Sequence, residues 1–386
     1  MKKIGIITIY DLNNFGNRLQ NYAVQEFFHE RGFETVAIKN HIATNHSPFN
    51  NKDTKGSGSV NNRLKKMNIF FARIRSKSFM KLISFPFRKI QKVIIDPIIN
   101  IHRKKSFINF EKNYINTSTY VINFANSRDI NKKFDYFVIG SDQVWNPNYG
   151  GISYIFLLSF CPPNKKICFS PSLGTSDIND LDKLRAVKNE FSKFNYLCTR
   201  EEGGSELLNE LLDTDKVVTT LDPTLLISKE KWLKISRSSK ITISKNYILL
   251  YFLKQNNKDI LNEIKSYAKR KNLIIINLLD KKSKFYSSGP SEFLYLINNS
   301  KYFFTDSFHG VIFSIIFNKN FQVFHRSLDD KMYSRIHHII KLLKIDSAVE
   351  YDNVINWNFV INYDLVNLQL EKEKKETEKF ILHQIN

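Results

Sequence analysis

Short apolar runs alternate with amphipathic stretches along most of this chain. Ile4 to Tyr10 reads as a buried strand, and a helix follows over about Arg18–Glu30, its apolar stripe carried by Leu19, Tyr22, Ala23, Val24 and Phe27. Gly32 ends that helix and Thr35 to Lys39 is the next strand, a β-α-β opening. His41 to Val60 is polar and reads as loop, and Asn61 to Tyr114 is basic with scattered Ile and Phe and reads as helical. Strands then recur at Tyr136–Ile139, Lys166–Ser170, Asn195–Thr199 and Val217–Thr220, with helical segments at Leu181–Phe191 and Gly204–Leu212. Leu221-Asp222-Pro223-Thr224 has the look of an exit from a first lobe.

A second alternation places strands at Tyr247–Leu253, Leu273–Leu278, Tyr302–Thr305 and Phe321–Phe324. Its helices fall near Asp259–Lys269, Ser291–Asn298 and Gly310–Phe317, and a charged helix near Asp364–Gln384 closes the chain. The expected fold class is therefore α/β, with two Rossmann-like lobes and a cleft between them. The divisions are 1–225 for the first lobe, with a basic insertion at about 41–115, 226–350 for the second, and 351–386 for a helical segment packing back across the hinge. A chain of 386 residues fits two domains better than one.

Charge changes this picture more than composition does. The formal net charge is +21, and between Asn61 and Lys105 there are 13 Lys or Arg against the single acid Asp96. Such a block implies an anionic partner. The three cysteines, Cys161, Cys168 and Cys198, form no C-x-x-C pair, which fits a reducing compartment. The apolar run after Met1-Lys2-Lys3 is too short for a signal peptide, and no stretch reaches the roughly 18 apolar residues of a membrane span. A cytoplasmic location is expected.

Four loops lie where strands run into helices, the place open α/β sheets keep their ligands. The first carries Asn14, Gly16, Asn17, Arg18 and Gln20, suited to hydroxyl or phosphate binding or to plain capping of a turn. It is not a G-x-G-x-x-G loop, and the chain has no P-loop. The second is Gly140-Ser141-Asp142-Gln143-Val144-Trp145, where Asp142 suits a base and Trp145 offers a stacking face, although Ser and Asp there are also ordinary helix caps. The third presents Arg200, a fork for carboxylate or phosphate or an ion pair for Glu201. The fourth, Asp306-Ser307-Phe308-His309-Gly310, holds a histidine that either transfers a proton or caps a helix.

Taken together, these segments resemble the polysaccharide pyruvyl transferase family. The resemblance is carried by Asn14-Phe15-Gly16-Asn17-Arg18-Leu19-Gln20, Gly140-Ser141-Asp142-Gln143-Val144-Trp145-Asn146, Thr199-Arg200-Glu201, Leu221-Asp222-Pro223-Thr224 and Asp306-Ser307-Phe308-His309-Gly310, with Gly289-Pro290-Ser291-Glu292 and Ser334-Arg335-Ile336 beside them. It spans roughly Ile4 to Leu343. The basic block has no counterpart in it, and Phe169-Ser170-Pro171-Ser172-Leu173-Gly174 departs from a segment the family usually writes with Tyr-Ala and a Ser-Phe-Gly ending.

The resemblance implies a GT-B-like fold and transfer of the pyruvyl group of phosphoenolpyruvate onto a sugar of a bacterial surface polysaccharide as a cyclic ketal. It requires no metal and no cofactor beyond phosphoenolpyruvate as co-substrate. In that scheme His309, Asp142 and Arg200 are catalytic. Asn14, Gly16, Asn17, Arg18, Gln20, Gly140, Ser141, Gln143, Trp145, Ser307, Phe308, Gly310 and Arg335 bind substrate. The partners in that scheme are phosphoenolpyruvate and a sugar or lipid-linked oligosaccharide acceptor. The basic block, which the resemblance does not cover, reads either as a helix lying at the anionic inner face of a membrane or as a solvated insertion or a helix packed on the first lobe; no nucleic acid is expected. A sugar-nucleotide glycosyltransferase is the enzymatic rival, since fold does not fix function. An anion- or nucleic-acid-binding protein is the non-catalytic one.

Overall fold

The computed structural model describes residues 1–40, 96–149, 151–254, 258–324, 334–345, 354–358 and 360–385. The first lobe opens with β1 (Lys3–Ile7), α1 (Phe15–His29) and β2 (Glu34–Asn40), followed by α2 (Asp96–Tyr114), β3 (Thr117–Ile122), β4 (Tyr136–Ile139) and β5 (Lys166–Cys168). The five strands form one parallel sheet in the order β3-β2-β1-β4-β5. A two-stranded parallel pair, β6 (Cys198–Thr199) and β7 (Val218–Thr219), flanks α3 (Glu202–Leu212) and leads to α4 (Pro223–Leu226) and α5 (Lys229–Arg237). In the second lobe come β8 (Tyr247–Tyr251), α6 (Lys258–Arg270), β9 (Ile274–Asn277), α7 (Pro290–Asn299), β10 (Tyr302–Thr305), α8 (Phe308–Ile316), β11 (Phe321–Val323) and α9 (Ser334–Leu342). Its sheet is parallel in the order β11-β10-β8-β9. The last element is α10 (Tyr363–His383).

Most elements fall where the apolar pattern puts them, and the differences have local causes. The strand expected to reach Tyr10 stops at Ile7, because Thr8 turns its hydroxyl to the Ser141 carbonyl and the backbone leaves the sheet. The helical segment expected over Leu181–Phe191 is two short helices, 181–185 and 188–191, interrupted at Ala186 and Val187. Strand β3 answers to no expected element. Its Thr-Ser-Thr-Tyr-Val-Ile run is β-branched and pairs with β2, directly after the basic segment. Residues 61–95 of that segment lie outside the described residues, so the helix expected through Arg63 to Lys92 does too.

The two lobes share apolar core across their junction. Phe15 at the start of α1 stacks on Phe293 of α7 (centroids 4.6 Å apart) and on Phe107 of α2 (5.2 Å), and meets the edge of Tyr251 of β8. Helix α2 straddles both lobes. Its Arg103 is buried, lies over the rings of Phe15 and Tyr286, and donates to the Tyr286 carbonyl (2.8 Å) and the Asn13 carbonyl (3.1 Å). On the first-lobe side Glu111 of the same helix accepts from Arg18 and from the Tyr10 hydroxyl. Helix α10 ties the lobes from the other direction. Tyr363 bonds the Ser314 and Lys319 carbonyls of the second lobe, and beyond the helix Gln384 makes a reciprocal pair with the Cys168 backbone on edge strand β5 (2.8 and 2.9 Å). Those two amide bonds also satisfy a sheet edge that water would otherwise cover. Among the described residues, no helix is long and apolar enough to cross a membrane.

Candidate functional site

Parallel strands deliver their carboxyl ends to one edge of each sheet, and the two edges face each other through the α1 N-terminus. Asn14 caps α1 by accepting from the Asn17 amide (3.2 Å), which fixes the turn Phe15-Gly16-Asn17 between the lobes. Ser307 likewise caps α8 by accepting from the Gly310 amide (3.4 Å), and so places Phe308 and His309 on the first turn. The two caps meet. A β-carbon added to Gly16 would stand 2.0 Å from His309 Nδ1 and 2.3 Å from its Cγ, so only glycine lets the imidazole lie here.

The other edge of that ring faces a carboxylate. His309 Nε2 lies 3.6 Å from Oδ2 of Asp222, whose residue is 1% exposed. The same Oδ2 accepts from Arg200 Nη1 (2.9 Å) and Ser141 Oγ (3.0 Å), while Oδ1 accepts from the Thr224 amide (3.0 Å) and hydroxyl (2.6 Å). Burial alone would raise this carboxyl. The nearby His309 ring, the Arg200 charge and the Thr224 hydrogen bond outweigh it, and hold the group well below the usual carboxylate range. Asp222 is thus a fixed anion at every working pH.

Arg200 is 3% exposed and cushioned on the Phe308 ring, 4.4 Å from its centroid. Among the described residues Nη1 is engaged by Asp222 and Ser141, while Nε and Nη2 are buried without a hydrogen-bond partner. Orphaned buried donors on a cation are costly in a native fold and call for an anion. A second guanidinium, Arg335, stands 5.8 Å from the same ring. With the Gln143 amide oriented to satisfy both its ends, the Gln143 oxygen accepts from Arg335 Nη1 and Nη2 (2.9 and 3.0 Å) and its nitrogen donates to Tyr149.

Asp142 closes the ring of residues. Its backbone has φ +109°, a strained conformation for any side chain but glycine. Asn17 holds it there by donating to Oδ2 (2.7 Å), with Oδ1 accepting from the Gln143 amide (2.8 Å) and the Asp142 carbonyl accepting from Ser172 (2.8 Å). The segment whose spelling departs from the family pattern, Phe169 to Gly174, is likewise anchored. Glu201 Oε1 accepts from Ser172 Oγ and from the Leu173 and Gly174 amides.

The structure therefore gathers His309, Arg200, Asp142, Gly16, Asn17, Ser141, Gln143, Phe308 and Arg335 at one place, with Asn14 exposed at its rim. Other expected substrate contacts are corrected. Trp145 is fully buried, wedged edge-on against Phe191 and Phe194, with Nε1 donating to the Phe156 carbonyl, so its ring has no face for a sugar. Arg18 is fully buried and bonds Glu111 (3.0 Å) and Asn17, which leaves it as internal scaffolding. Gln20 is fully buried and donates to Thr8, and Gly140 donates its amide to the Ile7 carbonyl. The Gly310 amide, expected to line an anion pocket, goes to the Ser307 cap. A β-carbon there would come within 2.7 Å of Thr305 Oγ1, so the glycine serves close packing of α8 on β10. Asp222, read from sequence as part of the lobe exit and of a segment shared with the family but given no role, is the residue that reasoning missed; its place in that shared segment was the one available signal.

The model for polysaccharide pyruvyl transferases matches residues 14–324. The chain belongs to that family. The matched span contains all of the residues gathered here except Arg335. No curated protein matches the chain. Among solved structures it is similar to a UDP-GlcNAc 2-epimerase from Methanocaldococcus jannaschii in complex with UDP-GlcNAc and UDP, at 12% identity and TM-score 0.47 over 98% of this chain and 94% of that one. A putative UDP-N-acetylglucosamine 2-epimerase from Listeria monocytogenes gives 8% and 0.49 over 98% and 90%. The E. coli heptosyltransferase WaaC with ADP gives 10% and 0.35 over 86% and 90%.

Two expectations come from this geometry. Asp222→Asn leaves the Arg200 charge buried without its anion and costs about 3–5 kcal/mol of stability. Because the folded carboxyl is depressed, its stabilisation is complete above the ordinary value of 3.8 and is lost as pH falls below it. Urea midpoints from pH 8 downward should therefore fall in acid more steeply for the native transferase than for Asp222→Asn; equal slopes would remove the charge from the account. Gly16→Ala should displace His309 and lower kcat about a hundredfold, the order expected for a misplacement of about 1 Å. The melting temperature should change little by comparison.

Proposed function

We propose that this transferase moves the pyruvyl group of phosphoenolpyruvate onto two hydroxyls of one sugar, closing a cyclic ketal. The observation that carries the reading is the half-engaged fork of Arg200, with two buried N–H groups lacking partners beside His309, Asp142 and a second guanidinium. The Nε and Nη2 edge of Arg200 suits one anionic group of the phosphoenolpyruvate donor, since a planar guanidinium takes carboxylate or phosphate in two parallel bonds.

The chemistry asks for an acid and a base on one substrate. A proton added to the methylene carbon of the donor makes C2 electrophilic. His309 supplies it from Nδ1, the nitrogen bordering Gly16, while Nε2 faces the Asp222 carboxylate at 3.6 Å, whose charge favours the protonated ring. A sugar hydroxyl then bonds C2 and gives its proton to Asp142. The C2–O bond to phosphate breaks with the electron pair leaving on phosphate, and the second hydroxyl closes the ketal, its proton passing to the departing phosphate. Arg200 stabilises charge gathering on the leaving group without moving, because Asp222 and Phe308 already fix it. Asn13 and Asn14, exposed on the loop before α1, are placed to meet the acceptor.

Phosphate release should depend on both phosphoenolpyruvate and a sugar acceptor. Arg200→Lys, which keeps the charge and loses the fork, should raise the KM for phosphoenolpyruvate about 10- to 100-fold, as loss of a charged hydrogen bond does. Thermal stabilisation by nucleotide sugars with none by phosphoenolpyruvate would instead make the protein a glycosyltransferase.

A further inference from the structure

Among the described residues, helix α2 has one face packed on the protein and one exposed. Arg103, Phe107, Phe110 and Glu111 are buried and join the lobes. On the opposite side Ile101, Lys104, Lys105, Ile108 and Lys112 follow one another at helical spacings of three and four, and so share a face. The three lysines are exposed, and so is Ile101, at 63%. The first residue of the helix is Asp96. From Ile99 to Tyr114 the only carboxylate is Glu111, which is turned inward to Arg18 and Tyr10.

A solvated helix face normally mixes both signs, and lysines are ordinarily interleaved with Glu at such spacings. Here the cations stand alone around exposed aliphatic carbon, and residues 61–95, just ahead in sequence, hold ten further Lys and Arg and no acid. We infer that the outward face of α2 is a docking surface for an anionic phospholipid leaflet, the lysines meeting headgroups and Ile101 entering the interface. Lipid is favoured over nucleic acid because the exposed apolar side chain sits within the lysine stripe and no aromatic ring for base stacking shares it. The placement has a consequence for the site. Arg103, on the inner side of the same turn, bonds the Asn13 carbonyl in the acceptor loop, so a membrane under α2 lies beside the mouth at which a lipid-borne sugar would enter.

Co-sedimentation of the full chain with vesicles, read without any substrate, tests this independently of the reaction. The protein should sediment with vesicles containing phosphatidylglycerol and not with phosphatidylcholine alone, and should be released as salt rises. Each lysine near an anionic surface contributes about fivefold, so the variant Lys104→Gln, Lys105→Gln, Lys112→Gln should bind on the order of a hundredfold more weakly with an unchanged melting temperature. Ile101→Ser should weaken binding further without altering its salt dependence. Undiminished sedimentation of the triple variant, equal binding to phosphatidylcholine, or binding to duplex DNA and not to vesicles would overturn the inference.

Discussion

One buried carboxylate organises this protein. Asp222, itself shut off from water, receives a guanidinium, a serine hydroxyl and a threonine amide and hydroxyl, and faces a partly exposed imidazole 3.6 Å away. A lone charge in such a place would be expelled or neutralised; here the hydrogen bonds that keep it ionised come from the first lobe, and the second lobe adds the His309 ring that faces it. Ser141 belongs to the first sheet's edge, Arg200 follows β6, and His309 begins α8 of the second lobe. Satisfying the carboxylate is therefore the same event as bringing the candidate acid and the candidate anion clamp together.

The surroundings make that convergence rigid. Phe15 stacks between Phe107 and Phe293, so the α1 N-terminus cannot drift from α7 without opening apolar core. Gly16, next in sequence, consequently presses on the His309 ring from one side while Asp222 faces it from the other. Asn17, one residue further, reaches Asp142 and holds it at a backbone angle it would not choose. Three consecutive residues thus link the junction's packing, the candidate acid and the candidate base. Such preorganisation is what transition-state stabilisation demands, because dipoles already aimed need not reorganise during reaction.

Much of the fold was legible because its strands are buried on both faces and its helices are amphipathic. Tyr136–Ile139 and Tyr302–Thr305 are apolar runs of strand length, and α6 carries Ile260, Ile264 and Ala268 at helical spacing. The loops that carry His309, Arg200 and Asp142 were legible from their position at strand ends. Asp222 was not, because Asp-Pro-Thr is also an ordinary helix start, with Asp as cap and Pro at the first turn. It does cap α4 with one oxygen, and nothing local shows that the other faces Arg200. Trp145 and Arg18 failed for the converse reason. Both sit inside motif loops, yet their partners, Phe191 and Phe194 for one and Glu111 for the other, are distant in sequence, and tertiary packing alone turns the side chains inward.

The most direct measurement of the central claim is a double-mutant cycle between Asp222→Asn and Arg200→Lys, read as kcat/KM for phosphoenolpyruvate. If Asp222 acts by aiming Arg200, the two losses overlap: the double variant should be scarcely worse than Asp222→Asn alone, with a coupling of about 1–3 kcal/mol. Losses that simply add would show that the two residues act separately, and would contradict an account in which one buried carboxylate sets the geometry of the site.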